Sequence, residues 1–119
     1  MTKWLIVVLA AGCASSAEPA VVDTAARFYA AVSAGQGGEA CALLTDAAAR
    51  SLPEPCATAI LGLGLRGGPV GSSEVWGQEA QVRLSGDTVF LHRSPEGWRI
   101  RGAGCRPQGE RPYDCEVSG

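Results

Sequence analysis

The chain has 119 residues, with ten lysines and arginines against twelve aspartates and glutamates, and a formal net charge of −2. That length holds one domain with one core, and the slight acidic excess does not suit a nucleic-acid binder, which carries a basic surplus. Lysine occurs once, at Lys3, and asparagine not at all, while alanine, glycine and arginine abound; this is the codon bias of a GC-rich genome and carries no functional signal.

Lys3 is followed by the apolar run Trp4-Leu-Ile-Val-Val-Leu-Ala-Ala11, then Gly12 and Cys13. A positive charge, a short apolar stretch and small residues at the cut make an export signal. A helix that crosses a bilayer needs about 20 apolar residues, and this run has eight. Ala14-Ser-Ser-Ala-Glu-Pro-Ala20 follows at once; it is small and polar, with no apolar period, which argues against a core helix. Leu9-Ala10-Ala11-Gly12-Cys13 resembles the lipobox of bacterial lipoproteins. That resemblance implies cleavage before Cys13 and a diacylglyceryl group on its sulfur. Residues 1–12 are then a signal peptide, 13–20 a lipidated linker and 21–119 a single domain. Ala10 stands where leucine is commonest in that motif, and a plain secretory cut after Ser15-Ser16-Ala17 is the alternative. Two acyl chains hold a protein stably where one holds it marginally. The expected location is therefore the outer side of the cell membrane, with the membrane as first partner.

Glu18 to Ala34 reads as a helix, with Pro19 in its first turn. Val21, Val22, Ala25, Phe28, Tyr29 and Val32 recur at three- and four-residue steps and form one apolar stripe. Gly35 ends it. Glu39 to Leu44 reads as a second, short helix. Thr45-Asp46 caps a third over Ala47 to Leu52. Pro53 and Pro55 break the chain, and Pro55 starts a fourth through Cys56, Ile60 and Leu61. Gly62 to Gly71 is a glycine-rich loop.

The period then changes from helical to alternating. Val70 to Val75 gives a first strand. Ala80, Val82 and Leu84 alternate with Gln81 and Arg83 in the next. A turn at Ser85-Gly86-Asp87 leads to Thr88–Arg93, and Ser94-Pro95-Glu96-Gly97 leads to Trp98–Ala103. A hairpin turning at Gly86-Asp87 pairs Leu84 with Val89 and Val82 with Leu91. If Arg93 pairs with Trp98 across the following turn, Leu91 meets Ile100 and His92 meets Arg99. Alternation puts Val82, Leu84, Val89, Leu91, Trp98 and Ile100 on a core face and Gln81, Arg83, Phe90, His92, Arg99 and Arg101 on the other. After Cys105 a polar loop runs through Pro107 and Pro112. Helices first and antiparallel strands after predict an α+β fold, with N-terminal helices packed on a curved antiparallel meander.

Five cysteines are an odd number. With Cys13 given to lipid, four remain, and an exported chain lives where disulfides persist. Four cysteines allow three connectivities. Closeness in sequence favours Cys41–Cys56 and Cys105–Cys115. Zinc is the rival reading, but there is no CxxC pair and the only histidine lies far from the cysteines.

The element order, with Arg27-Phe28-Tyr29-Ala-Ala on the first helix and Ala40-Cys41-Ala-Leu-Leu44 on the second, resembles the nuclear transport factor 2-like cone fold. The ending Gly104-Cys105…Tyr113-Asp114-Cys115 resembles that of small actinobacterial lipoproteins. The likeness covers roughly residues 20–117. It implies a pocket between sheet and helices and a sheet face used for pairing, on a fold that hosts many functions.

Candidate chemistry is sparse. Gly62-Leu-Gly64-Leu-Arg-Gly67 matches GxGxxG, but a short helix precedes it and no βαβ unit surrounds it. His92, the default base, falls on the outer face. The leading reading is a non-catalytic binding or scaffold module, taking a small apolar ligand in the pocket, or a protein partner or second copy on the face of Gln81, Arg83, Phe90, His92, Arg99 and Arg101. The bland reading of that face is an ordinary solvated sheet surface. The alternative is a small isomerase or dehydratase using Tyr29 or Asp23 in the pocket. No cofactor or metal is expected.

Overall fold

The computed structural model describes residues 17–119. Cys13, the signal segment and the residues through Ser16 lie outside the described residues.

Helix α1 spans Ala17–Ser33. It matches the helix expected over Glu18 to Ala34 to within one residue at each end. Its stripe of Val21, Ala25, Phe28 and Tyr29 is buried, and the helix packs against the sheet. Gly35 closes it at φ 73°. There the amide of Gln36 donates to Ala31 O at 2.8 Å and that of Gly35 to Val32 O at 3.1 Å. This left-handed cap satisfies carbonyls that a helix end leaves free.

Three short helices follow: α2 (Gly37–Ala42), α3 (Asp46–Arg50) and α4 (Cys56–Gly62). Helix α2 starts two residues before the expected Glu39. Gly37 permits a close approach to α4: a Cβ there would sit 2.0 Å from the Ala57 carbonyl oxygen. The Cys41–Cys56 disulfide joins the same two helices. Thr45 caps α3 as its side chain implies, accepting from Ala48 N at 3.0 Å.

The strands are β1 (Val70–Trp76), β2 (Glu79–Leu84), β3 (Thr88–Ser94), β4 (Gly97–Gln108) and β5 (Arg111–Ser118). They form one antiparallel meander in chain order. Among the described residues the α+β fold is therefore α1 and three short helices followed by an open five-stranded sheet. Val82, Val89, Leu91, Ile100, Ala103 and Val117 face the helices and are fully buried with Val21, Phe28, Leu44 and Ile60. Each large side chain among them contributes roughly 1.5–3 kcal/mol of apolar burial.

Two expectations need correction. The β2–β3 register pairs Val82 with Val89 and Ala80 with Leu91, two residues from the pairing expected. The turn is tighter than the sequence suggested, because Leu84 N donates to Asp87 O at 2.7 Å and leaves only Ser85-Gly86 in the loop. A slip of two preserves the faces, where a slip of one would have inverted them. The β3–β4 register is the expected one, with Arg93 against Trp98, His92 against Arg99 and Leu91 against Ile100.

The second correction concerns the segment after Cys105. It is the long end of β4 and a fifth strand, joined through Gly109 at φ 68°. Pro112 has no amide to donate, and it sits on an edge strand where none is required. The Cys105–Cys115 disulfide bridges residues directly opposite each other in this hairpin. The start of β4 lies beyond the reach of β5, and the chain between α2 and α3 covers it. Ile100 N donates to Leu43 O and Thr45 N to Ile100 O, both at 2.8 Å. Backbone groups that would be an open edge are thereby paired.

Candidate functional site

The sheet register builds the outer face row by row. Trp76 pairs with Glu79, Glu79 with His92, and His92 with Arg99, so these four lie in one line across four strands. In the next row Gln81 pairs with Phe90 and Phe90 with Gly102. Between Ile100 and Gly102 the register slips, leaving Arg101 as the unpaired residue of a bulge. Its Nη1 lies 2.8 Å from Glu79 Oε1, and His92 Nδ1 lies 2.6 Å from Glu79 Oε2. Both oxygens of one carboxylate are thus engaged. Partial burial alone would raise the Glu79 carboxyl, but the His92 and Arg101 hydrogen bonds and charges prevail and hold it below the usual carboxylate range.

Beside this cluster an open groove of about 640 Å³ runs between Trp76, Glu79, Phe90, Arg101, Pro112 and Tyr113. The rings of Phe90 and Tyr113 meet edge to face with centroids 5.0 Å apart. Trp76 is half exposed, at 50%. Gly102 forms part of the floor, where a Cβ would come within 3.3 Å of Cys115 Sγ.

Of the outer-face residues read from the sequence, Phe90 and Arg101 line the groove, and His92 meets Arg101 at Glu79. Gln81 and Arg99 adjoin them in the ladder. Arg83 is exposed in a further row opposite Thr88, away from the groove lining. Sequence reasoning passed over Glu79, Trp76 and Tyr113. Glu79 continues the alternation of Gln81 and Arg83, which is the signal that would have found it. Tyr113 alternates with Cys115 and Val117, a strand pattern hidden by the prolines around it.

The two pocket candidates sit elsewhere. Asp23 is on the exposed side of α1, its carboxylate 3.7 Å from Arg27 in an i,i+4 pair with both side chains 65% exposed. Tyr29 is buried, with 6% exposed, edge to face against Phe28 and covered by Gly67, where a Cβ would lie 2.4 Å from its Cγ. Its hydroxyl donates to Asp87 Oδ2. Burial first, then the hydrogen bond to Asp87 and its charge, push the phenol well above its ordinary value. The helix-facing side of the sheet around it is filled with apolar side chains.

The glycine motif is a helix end and a packing loop. Gly62 ends α4, Gly64 has φ 68°, and Gly67 lies against Tyr29. Among the described residues, no three His, Cys, Asp or Glu side chains are placed to hold a metal ion, and no helix is long and apolar enough to cross a membrane. The two disulfides fit an oxidising setting. Compared with protein families, curated proteins and solved structures, the chain has no significant match.

Proposed function

We propose that the protein is an exported lipoprotein of the cell envelope, tied to the outer side of the membrane through Cys13, and that it acts as a binding module. Its outer sheet face takes a protein partner, in the manner that the cone-fold resemblance implies. The observation that carries this reading is the groove. Phe90, Tyr113 and Trp76 stand together on the face turned away from the helices, beside the charged set Arg101, Glu79 and His92. Aromatic side chains flanked by arginine are the composition of binding hot spots. The helix-facing side supplies no comparable surface, because its apolar residues are spent on the core.

The test is a photo-crosslinking residue placed at Phe90 in one variant and at Asp23, on the exposed side of α1, in another. In intact cells the Phe90 position is expected to trap one discrete protein and the Asp23 position none. The Phe90 product should disappear when Arg101→Glu is added. Equal trapping from both positions, or none from Phe90, would refute the assignment.

A further inference from the structure

We infer that the end of the molecule carrying Trp76 rests in the interfacial layer of the membrane. The inference depends on the reading of Cys13 as the lipidated residue. It comes from the length and point of attachment of the chain outside the described residues. Helix α1 begins at Ala17, four residues after Cys13. Whatever the path between them, four Cα–Cα steps of ~3.8 Å reach at most about 15 Å. The lipid-bearing residue is therefore within that distance of the start of α1.

The start of α1 lies beside the middle of β1, three residues from Trp76 and three from Val70. Glu18 Oε1 accepts from Ser73 Oγ at 3.3 Å, and Trp76 is three residues further along β1, about 10 Å at the rise of a strand. From there the helix runs away from Trp76, toward the end of the sheet where Tyr29 meets Asp87 and Gly67. The β1–β2 and β3–β4 turns both project at the Trp76 end, held together by Arg93 N donating to Gln78 O at 2.8 Å. Val70 and Trp76 are the large apolar side chains left exposed among the described residues, at 36% and 50%. Val70 is at the end of β1 toward which α1 runs, level with Leu84 and Asp87, and Trp76 is at the end from which α1 points away. Tryptophan prefers the membrane–water interface, where its apolar ring and its N–H are both accommodated. A ring that would be an exposed liability in water is held by the tether against the layer that suits it. The groove then rises from the membrane surface, with Trp76 at its foot and Tyr113 further up.

The experiment uses protein extracted from membranes, with intact mass showing the diacylated Cys13 and the loss of residues 1–12, which removes Trp4. It is reconstituted into phosphatidylcholine vesicles with and without acyl chains brominated near the headgroup. In Trp98→Phe, Trp76 is the sole reporter, and its emission is expected to fall in the brominated lipid relative to the unbrominated one. In Trp76→Phe, the remaining Trp98 is expected to be little affected. Trp98 packs against the core, so if its variant does not fold, wild type minus Trp76→Phe gives the same reading. Vesicles that carry the protein while Trp76 emits equally in both lipids would overturn the inference and leave the anchor standing. A Cys13→Ser protein that stays membrane-bound in cells would overturn the anchor itself.

Discussion

Tyr29 donates its hydroxyl to Oδ2 of Asp87, a residue 58 positions further along the chain. The same carboxylate accepts from Gly104 N at 2.8 Å, Cys105 N at 2.9 Å and Thr88 N at 2.7 Å. One side chain thus joins the first helix, the β2–β3 turn and the middle of β4. Removing it leaves several donors without a partner, and such groups cost about 1–3 kcal/mol each when they are kept from water. Asp87→Ala is expected to lower stability by about 3 kcal/mol or more, and Tyr29→Phe by about 1–3 kcal/mol. Urea midpoints at neutral pH measure both, and a loss below ~0.5 kcal/mol in Asp87→Ala would show that the cluster is incidental.

The same pair fixes the alkaline limit. The folded phenol titrates above its unfolded value of 10.0, chiefly through burial and then through Asp87. Its contribution is fully present below pH 10 and is lost as pH rises toward the folded value, because the unfolded chain releases the proton first. With Tyr113→Phe, Tyr29 is the only tyrosine remaining of the two. Its phenolate absorbance is expected to appear together with the loss of near-ultraviolet circular dichroism. Ionisation that preceded unfolding would contradict the buried hydrogen bond.

Adjacent glycines in α2 should respond with opposite sign. A Cβ at Gly37 would stand 2.0 Å from the Ala57 carbonyl oxygen, whereas at Gly38 nothing lies within 4 Å. Gly37→Ala is expected to cost about 1–3 kcal/mol through overpacking against backbone. Gly38→Ala should stabilise by about 0.5–1 kcal/mol, because alanine loses less backbone freedom in a helix. Thermal melts of the two single variants decide this directly.

Acid should loosen the outer face. Glu79 is held below its ordinary value of 4.5, since the His92 and Arg101 interactions outweigh the effect of burial. Its contribution is present above pH 4.5 and is lost as pH falls through the lowered folded value. The pair with Arg101 is partly exposed and therefore small and salt-screened. Glu79→Gln is expected to flatten the acid limb of the stability profile below pH 4.5 while changing neutral stability by less than ~1 kcal/mol. An unchanged acid limb would show that Glu79 does not report on the face.

The local features were legible in the sequence. The Val21–Ala25–Phe28 stripe, the cap at Thr45, the turn residues and the alternation of β2 and β3 are short-range patterns, and they place the helices, the strands and their faces. The two disulfide pairings follow from proximity along the chain. What escaped depends on distant partners. Pro107 and Pro112 looked like loop markers, yet they are tolerated at a bulged hairpin and an outer edge, so β5 was missed. The β2–β3 register was set by a backbone bond between Leu84 and Asp87 that no residue type announces. Asp87 looked like a turn residue; its acceptor role depends on Tyr29 and Gly104, which only the tertiary fold brings near. Phe90, His92 and Arg101 were placed on the outer face by parity, but their gathering around Glu79 needed the bulge at Arg101.

Each disulfide is confined to one half of the molecule: Cys41–Cys56 stays within the helices, and Cys105–Cys115 within the last hairpin. Among the described residues, no covalent link therefore crosses from helices to sheet apart from the main chain itself, through residues 63–69. The two layers are joined by apolar packing, the Leu43–Thr45 backbone pairing and the Asp87 cluster. In topological terms the oxidised protein is two small closed loops in series, and neither encloses the other. Oxidation of one half leaves the other free to thread, pair and dock, so native bridges can close in either order without trapping the chain.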